Sequence, residues 1–151
     1  MKKNIIISLC DHSGQWSDPY LKAGYEVIKV DLKNRYDARI FPSGTSSQAR
    51  FPRDFGSIDD LIGRVHGVLC APVCTVFSGS GAKHPRSDQE ILSGLSLVDA
   101  CIRIAYVVNP TFWALENPVG KLRKWIGAPV MSFNPCDYGD PYKKRTLLWG
   151  N

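Results

Sequence analysis

The sequence predicts a single α/β domain with an open, mostly parallel, doubly wound sheet and helices on both of its faces. Short apolar runs alternate along the chain with segments of helical periodicity, which is the pattern of strand–helix–strand units. The first such run, residues 5–9, is almost entirely Ile and Leu, as is typical of a strand buried on both faces of a parallel sheet. With 151 residues, 44% of them hydrophobic, the chain is long enough for one core and one domain.

The first half of the chain resembles the outline of a nucleotide-binding strand–helix–strand unit. The first strand breaks at residues 11–14, a short helical stretch extends to residue 24, and residues 26–31 form a second strand that ends in Asp31. Residues 42–57 are rich in Ser, Gly, Pro and Arg and are expected to form a long basic loop. Residues 57–62 predict a short capped helix, and residues 67–70 predict the next strand.

The second half begins with a clear helix signal. Ser87 and Glu90 form a capping box, and apolar residues recur at helical spacing from Ile91 to Val108, which predicts about 20 helical residues. Three strands are then expected at residues 112–115, 130–133 and 146–149. No internal repeat or second domain boundary interrupts this order.

The composition indicates the cellular compartment of the protein and the kind of partner to expect. Lys and Arg (19) exceed Asp and Glu (14), so the formal charge of +5 favours an anionic partner such as nucleic acid. The five cysteines form no regular framework, which indicates reduced thiols. The apolar run that follows residues 1–4 is too short for a signal peptide, and no run reaches the ~18 apolar residues of a membrane helix. We therefore expect a cytoplasmic protein without a membrane partner.

Two residues with chemical potential follow predicted strands. Cys74 comes just after the strand at residues 67–70, and Glu116 directly follows the strand at residues 112–115. Ligands bind beyond the carboxyl ends of strands in open α/β sheets, where His12 and Asp31 are also expected. A thiol and a carboxyl group together can add a nucleophile to a ring and manage its protons.

Four ordered motifs carry a resemblance to a known family. They are residues 72–78 (Pro-Val-Cys-Thr-Val-Phe-Ser), residues 116–118 (Glu-Asn-Pro), residues 136–146 (Cys-Asp-Tyr-Gly-Asp-Pro-Tyr-Lys-Lys-Arg-Thr), and the N-terminal stretch with Gly14, residues 23–25 and Asp31. In this order they resemble the S-adenosylmethionine-dependent DNA cytosine-C5 methyltransferases. The resemblance implies a Rossmann-like methyltransferase fold in which residues 1–151 are the catalytic domain, without a target-recognition domain.

The same resemblance implies roles for individual residues. Cys74 would add to C6 of a flipped cytosine, and Glu116 would protonate or hydrogen-bond N3 while C5 takes the methyl group. The other implied catalytic residues are Asn117, which is expected mainly to fix the local turn, and Arg145. The residues implied to bind the cofactor S-adenosylmethionine are Asp11, His12, Gly14, Asp31, Asp54 and Pro72. The residues implied to contact nucleic acid are Ser78, Lys83, Lys143 and Lys144.

The implied partner is DNA, which the isolated chain is expected to bind weakly and with little sequence preference. Lys and Arg side chains would supply backbone contacts only, so affinity should fall steeply with salt, and a separate subunit would have to recognise the sequence. The chain departs from the family pattern at Ser8, His12, Thr75, Tyr142 and Thr146, and these departures leave two other functions open. One is a non-catalytic, shortened relative that binds a nucleotide, the cofactor or a protein partner. The other is an enzyme that alkylates free pyrimidine nucleotides.

Purely structural roles are also open for several of these residues. Cys74 can be a small buried hydrophobe, and the Gly-rich residues 79–83 can form either a loop that closes over the base or a plain surface loop. Cys70 and Cys74 have the spacing of a metal-binding pair, but the sequence offers no second pair for a structural zinc site. No metal is therefore predicted.

Overall fold

The computed structural model describes residues 4–34, 36–40, 58–79 and 83–151 of the chain. Its strands are β1 (Ile5–Leu9), β2 (Glu26–Val30), β3 (Val65–Cys70), β4 (Phe112–Pro118), β5 (Met131–Phe133) and β6 (Thr146–Gly150). Its α-helices are α1 (Asp18–Lys22), α2 (Asp88–Val108) and α3 (Arg123–Ile126). The six strands form one sheet in the order β2-β1-β3-β4-β6-β5.

Strands β2, β1, β3 and β4 run parallel and contain the centre of the core. All five residues of β1 are buried, and Ile7 pairs with Ile28 on one side and Val68 on the other. This burial on both faces explains why β1 is apolar throughout instead of alternating with polar residues. Because β1 and β3 are parallel neighbours, their carboxyl ends lie side by side at the same end of the sheet.

The predicted mostly parallel, doubly wound sheet is wrong, because the sheet is mixed. Strand β6 runs antiparallel to both β4 and β5. A parallel return needs a long crossover, usually a helix, whereas the described chain between β5 and β6 holds only a 3₁₀ turn at Pro135–Tyr138. The apolar pattern had indicated where the strands lie, but such a pattern does not contain their direction.

The described helices are also too few for a doubly wound fold, which needs several long helices on both faces. α1 has five residues and α3 has four, so α2, with 21 residues, is the main helical layer of the described chain. The predicted capping box at its start is confirmed: the Ser87 hydroxyl accepts from the Glu90 N–H, and the Glu90 carboxylate accepts from the Ser87 N–H.

Helix α2 has the length and apolar composition of a membrane-spanning helix, and it is the one described helix that does. Its inward side chains, among them Val98, Cys101, Ile104 and Val108, are buried in the core against the sheet. Core helices of soluble proteins share these properties, so α2 is weak support for a membrane span.

Strand β4 is longer than the predicted strand at residues 112–115. It continues to Pro118, so Glu116 and Asn117 lie inside the strand instead of after it. The extension exists because β6 pairs with this half of β4, with Glu116 opposite Leu148 and Asn117 opposite Leu147. The two side chains therefore point to opposite faces of the sheet.

Candidate functional site

A cavity of about 660 Å³ opens where the loop after β1 faces β4 and the segment that contains β5 and β6. We call it the Glu116 cavity. Its charged and imidazole side chains are Asp11, His12, Lys33, Glu116, Asp140 and Lys144. Its aromatic side chains are Trp16, Phe133, Tyr138 and Tyr142. The volume and this combination of rings with a few ionisable groups are typical of sites for small organic ligands.

Glu116 is the ionisable group with the clearest chemical preference in this cavity. Its side chain is half-buried, and this burial raises the pKa of the carboxyl group above its ordinary value, although the positive charge of Lys144 acts in the opposite direction. A carboxyl group that holds its proton more firmly than an exposed one is suited to donate a proton or a hydrogen bond to a ligand.

Lys144 lines the Glu116 cavity, whereas Arg145, the residue implied to be catalytic, does not. Lys144, Thr146 and Leu148 all line this cavity. Arg145 and Leu147 line a separate groove of about 420 Å³, and successive side chains of a strand point to opposite faces. The structure therefore places Arg145 on the opposite side of the sheet from Glu116, and it places Lys144 on the same side as Glu116.

Cys74 lies on the loop that follows β3, and its side chain is half-buried. Its carbonyl oxygen accepts hydrogen bonds from the N–H groups of Phe77 at 3.0 Å and Ser78 at 2.8 Å, so the loop closes into a tight turn. Cys74 is not among the described residues that line the Glu116 cavity, but Ala71 of the same loop is. The two residues are three positions apart in the chain, so their Cα atoms lie at most about 11 Å from each other.

The Cys74 loop is bonded to the chain around Glu116 at several points. The Asn117 Nδ2 donates to the Pro72 carbonyl oxygen at 3.1 Å, and both residues are buried. The N–H of Gly79 donates to the Val119 carbonyl at 3.0 Å, and the N–H of Lys121 donates to the Phe77 carbonyl at 2.7 Å. These bonds hold the loop against the end of β4.

The loop after β1 is organised by Asp11. Its buried carboxylate accepts hydrogen bonds from the Ser8 and Ser13 hydroxyls, from the Gly14 N–H, and from both the hydroxyl and the N–H of Ser17. These contacts occupy the carboxylate with its own loop, so Asp11 shapes the cavity wall. Its neighbour His12 is exposed and lines the cavity.

Gly14 and Asp31 belong to the same edge of the sheet. Gly14 has a φ of +78°, in the left-handed region that favours glycine, and this allows the turn into α1. Asp31 follows β2, and its Oδ1 accepts the N–H of Lys33 at 2.8 Å. It lines a smaller pocket of about 210 Å³, which shares Cys10, Lys33 and Ala71 with the Glu116 cavity. The two spaces therefore adjoin.

The remaining predicted residues are dispersed. Ser78 forms an antiparallel bridge with Gly120, and Lys83 and Lys143 are exposed. Asp54, predicted to contact the cofactor, lies outside the described residues. The predicted basic loop at residues 42–57 and the centre of the Gly-rich segment, residues 80–82, also lie outside them.

Three thiols meet in the interior instead of forming a metal site. A hydrogen bond between the Cys10 and Cys101 thiols, together with burial, raises the pKa of the Cys10 thiol, and Cys101 also contacts Cys70. Within the described ranges, no three His, Cys, Asp or Glu side chains are grouped to hold a metal ion. Cys10 itself has a φ of +62° and stands between the two cavities.

Sequence reasoning missed the aromatic wall of the Glu116 cavity. Tyr138 and Tyr142 lie in the motif at residues 136–146, and Trp16 follows the turn at residues 11–14. The sequence analysis covered these segments but predicted no role for the three aromatic side chains. The apolar wall depends on the packing of β5 and β6, which no local pattern contains.

No known protein-family model matches the chain, and no curated protein sequence matches it.

Proposed function

We propose that this protein transfers a methyl group from S-adenosylmethionine to C5 of cytosine in DNA, with Cys74 as the nucleophile. The observation that carries the proposal is the carboxyl group of Glu116, whose pKa is raised by burial in a cavity walled by aromatic rings. A planar heterocycle fits between such rings, and a protonated carboxyl group can donate to a ring nitrogen.

The residues present fit the proposed cofactor. The Glu116 cavity and the pocket that contains Asp31 adjoin through Cys10, Lys33 and Ala71, which gives room for a nucleoside with an amino-acid tail. Asp31 would accept hydrogen bonds from the ribose hydroxyls and Lys33 would pair with the tail carboxylate, while His12 lines the Glu116 cavity. When bound, S-adenosylmethionine supplies the methyl group as a sulfonium electrophile.

Each protein group has a defined part in the reaction. The Cys74 thiolate adds to C6 of the ring, and Glu116 gives its proton to N3, so electrons of the C5–C6 double bond become available at C5. Lys144 stabilises the Glu116 carboxylate that remains. After C5 has gained the methyl group, water removes the C5 proton, the S–C6 bond breaks and releases the thiolate, and N3 returns its proton to the Glu116 carboxylate.

Binding without catalysis is the second candidate function. The observation that favours it is the position of Cys74, which is not among the described residues lining the cavity of Glu116. In this alternative the protein holds the cofactor or a nucleotide, and the thiol takes no part. Calorimetric titration that detects S-adenosylmethionine binding in a protein without transfer activity would support this alternative.

A covalent trap distinguishes the two functions. Duplex DNA with 5-fluorocytosine should form an adduct with Cys74 that survives denaturation, because fluorine at C5 cannot leave as a proton. The matched control is Cys136→Ala, which removes an exposed thiol elsewhere. We expect the adduct with the wild-type protein and with this control, and its loss with Cys74→Ala. Absence of any adduct or tritiated-methyl transfer in the presence of cofactor would overturn the proposal.

We place this reaction in the cytoplasm. All five cysteines are free thiols, two of them buried in the core, and reduced thiols are the rule in that compartment.

A further inference from the structure

The groove on the far side of β6 has the features of a second ligand site. It is lined by Val119, Arg123, Pro129, Val130, Met131, Ser132, Arg145 and Leu147. We call it the Arg145 groove. Two guanidinium groups therefore share one open space, and Arg145 is oriented by a 3.4 Å hydrogen bond from its Nη2 to the Ser132 hydroxyl.

The positive charge of this groove is not balanced by a neighbouring acid in the part of the chain that the structure describes. No carboxylate is among the described residues that line the groove. The ion pairs found in those ranges involve Lys29, Arg39 and Arg86 instead. Two arginines held together without a carboxylate are a favourable site for an anion.

The surroundings of the groove extend this positive surface. Lys121 and Lys124 flank Arg123 in the chain, and Lys143 precedes Arg145 by two residues; all three are exposed. The same short helix, α3, carries Trp125, whose surface is 56% exposed. These lysines widen the positive surface around the groove, whereas Trp125 is not among the described residues that line it.

We propose that the Arg145 groove binds the phosphodiester backbone of a polynucleotide. The planar guanidinium group can contact two oxygens of one phosphate at once, so two arginines in one groove suit a phosphate group. The three exposed lysines around the groove make a positive surface larger than a single anion needs, which favours the repeated charges of a polynucleotide backbone. This inference rests on the proposed function, because the polynucleotide is taken to be the methylation substrate.

The position of the groove gives it a separate task from the Glu116 cavity. The alternation of side chains along residues 144–148 puts the groove and the cavity on opposite sides of β6. A strand that contacts both must pass over the outer edge of the sheet, which is the three-residue strand β5. Contacts in the groove would anchor the polynucleotide without touching the base that reacts.

The salt dependence of DNA binding tests this assignment. The probe is a short fluorescent duplex of mixed sequence, measured by anisotropy at several salt concentrations in a Cys74→Ala background, which excludes turnover. We compare Arg123→Gln/Arg145→Gln with Lys22→Gln/Arg64→Gln, which removes the same charge elsewhere. Each lost phosphate contact should lower the slope of log K against log salt by about 1, so the groove variant should lose about 2.

The outcomes separate the groove from general charge and from the proposed function. An equal loss of slope in the two double variants, or no loss in either, would overturn the assignment. A loss of affinity for a polyglutamate peptide as large as that for the duplex would indicate an acidic protein partner and also overturn it. Methyl transfer by the wild-type protein is measured separately, so an inactive protein with the expected change of slope refutes the reaction and leaves the groove.

Discussion

Asn117 in β4 donates its side-chain amide to the carbonyl oxygen of Pro72, two residues before Cys74. This 3.1 Å hydrogen bond connects the strand of the candidate acid Glu116 to the loop of the candidate nucleophile. Because the side chains of Glu116 and Asn117 point to opposite faces of the sheet, one residue faces the cavity while its neighbour secures the loop.

Replacing Asn117 by Ala should disturb the Cys74 loop and the fold together. The Pro72 carbonyl would lose its buried donor, which costs about 1–3 kcal/mol in free energy of unfolding. We expect urea denaturation to show a drop of that size in the free energy of unfolding. We also expect the rate of methyl transfer to fall by more than the smaller fraction of folded protein explains.

The matched control is Asn151→Ala, which removes an amide that accepts the Trp113 N–H at the other end of β4. Its activity should stay near that of the wild-type protein. Equal losses of activity in the two variants would show that Asn117 has no particular effect on the loop of Cys74.

The Glu116→Gln substitution should strongly lower the rate of methyl transfer and remove a pH-dependent loss of stability. The pKa of Glu116 is raised in the folded state above its ordinary value of 4.5, so the native protein binds more protons than the unfolded chain between the two values. The free energy of unfolding of the wild-type protein therefore falls as pH rises from 4.5 through the folded pKa. The variant should lack this decline, and its transfer rate should fall by about 10²–10⁴.

Glu90→Gln is the control for the pH dependence, because the Ser87 cap lowers the pKa of Glu90. Its wild-type contribution is present above the ordinary value and is lost as pH falls through the folded pKa, so the difference between wild type and variant has the opposite sign. Urea unfolding curves over a range of pH measure both differences. A Glu116→Gln profile parallel to that of the wild-type protein would contradict a raised pKa.

Lys144→Gln should move the pH profile of activity toward higher pH. Lys144 acts to lower the pKa of Glu116, so its removal raises that pKa further. If the protonated Glu116 is the active form, activity falls as pH rises through its pKa, and this alkaline limb shifts upward in the variant. Rates of methyl transfer across pH, compared with Lys143→Gln, check the shift. An unchanged limb would separate Lys144 from the acid.

Elements that are set by local interactions could be predicted from the sequence, whereas features that depend on distant partners could not. The run at residues 5–9 and the capping box at Ser87 gave correct elements, because β-branched runs and caps act over a few residues. The mostly parallel, doubly wound arrangement of the sheet was wrong, because strand pairing is decided by distant partners. The same limit explains Arg145: its motif was recognised, but the face on which it lies depends on the register of β6.

Gly120 is the residue at which the smallest change should separate the Cys74 loop from β4. A Cβ atom built on Gly120 would collide with the backbone carbonyl of Phe77, which already accepts the N–H of Lys121. Because Phe77 is fully buried, its backbone cannot withdraw without disturbing the core. Gly120→Ala should therefore lower the free energy of unfolding by about 1–3 kcal/mol and displace the turn that carries Cys74.

The adjacent Gly79 supplies the comparison for this prediction. A Cβ on Gly79 would lie 3.4 Å from the Val119 carbonyl, at the edge of ordinary contact, so Gly79→Ala should fold and react nearly as the wild-type protein does. Each variant adds one methyl group, and the two groups lie on the two chain segments that pair with each other. Denaturation curves, together with the yield of the 5-fluorocytosine adduct, measure stability and thiol placement separately. A Gly120→Ala protein that keeps its full adduct yield despite reduced stability would show that Cys74 does not depend on this contact for its position.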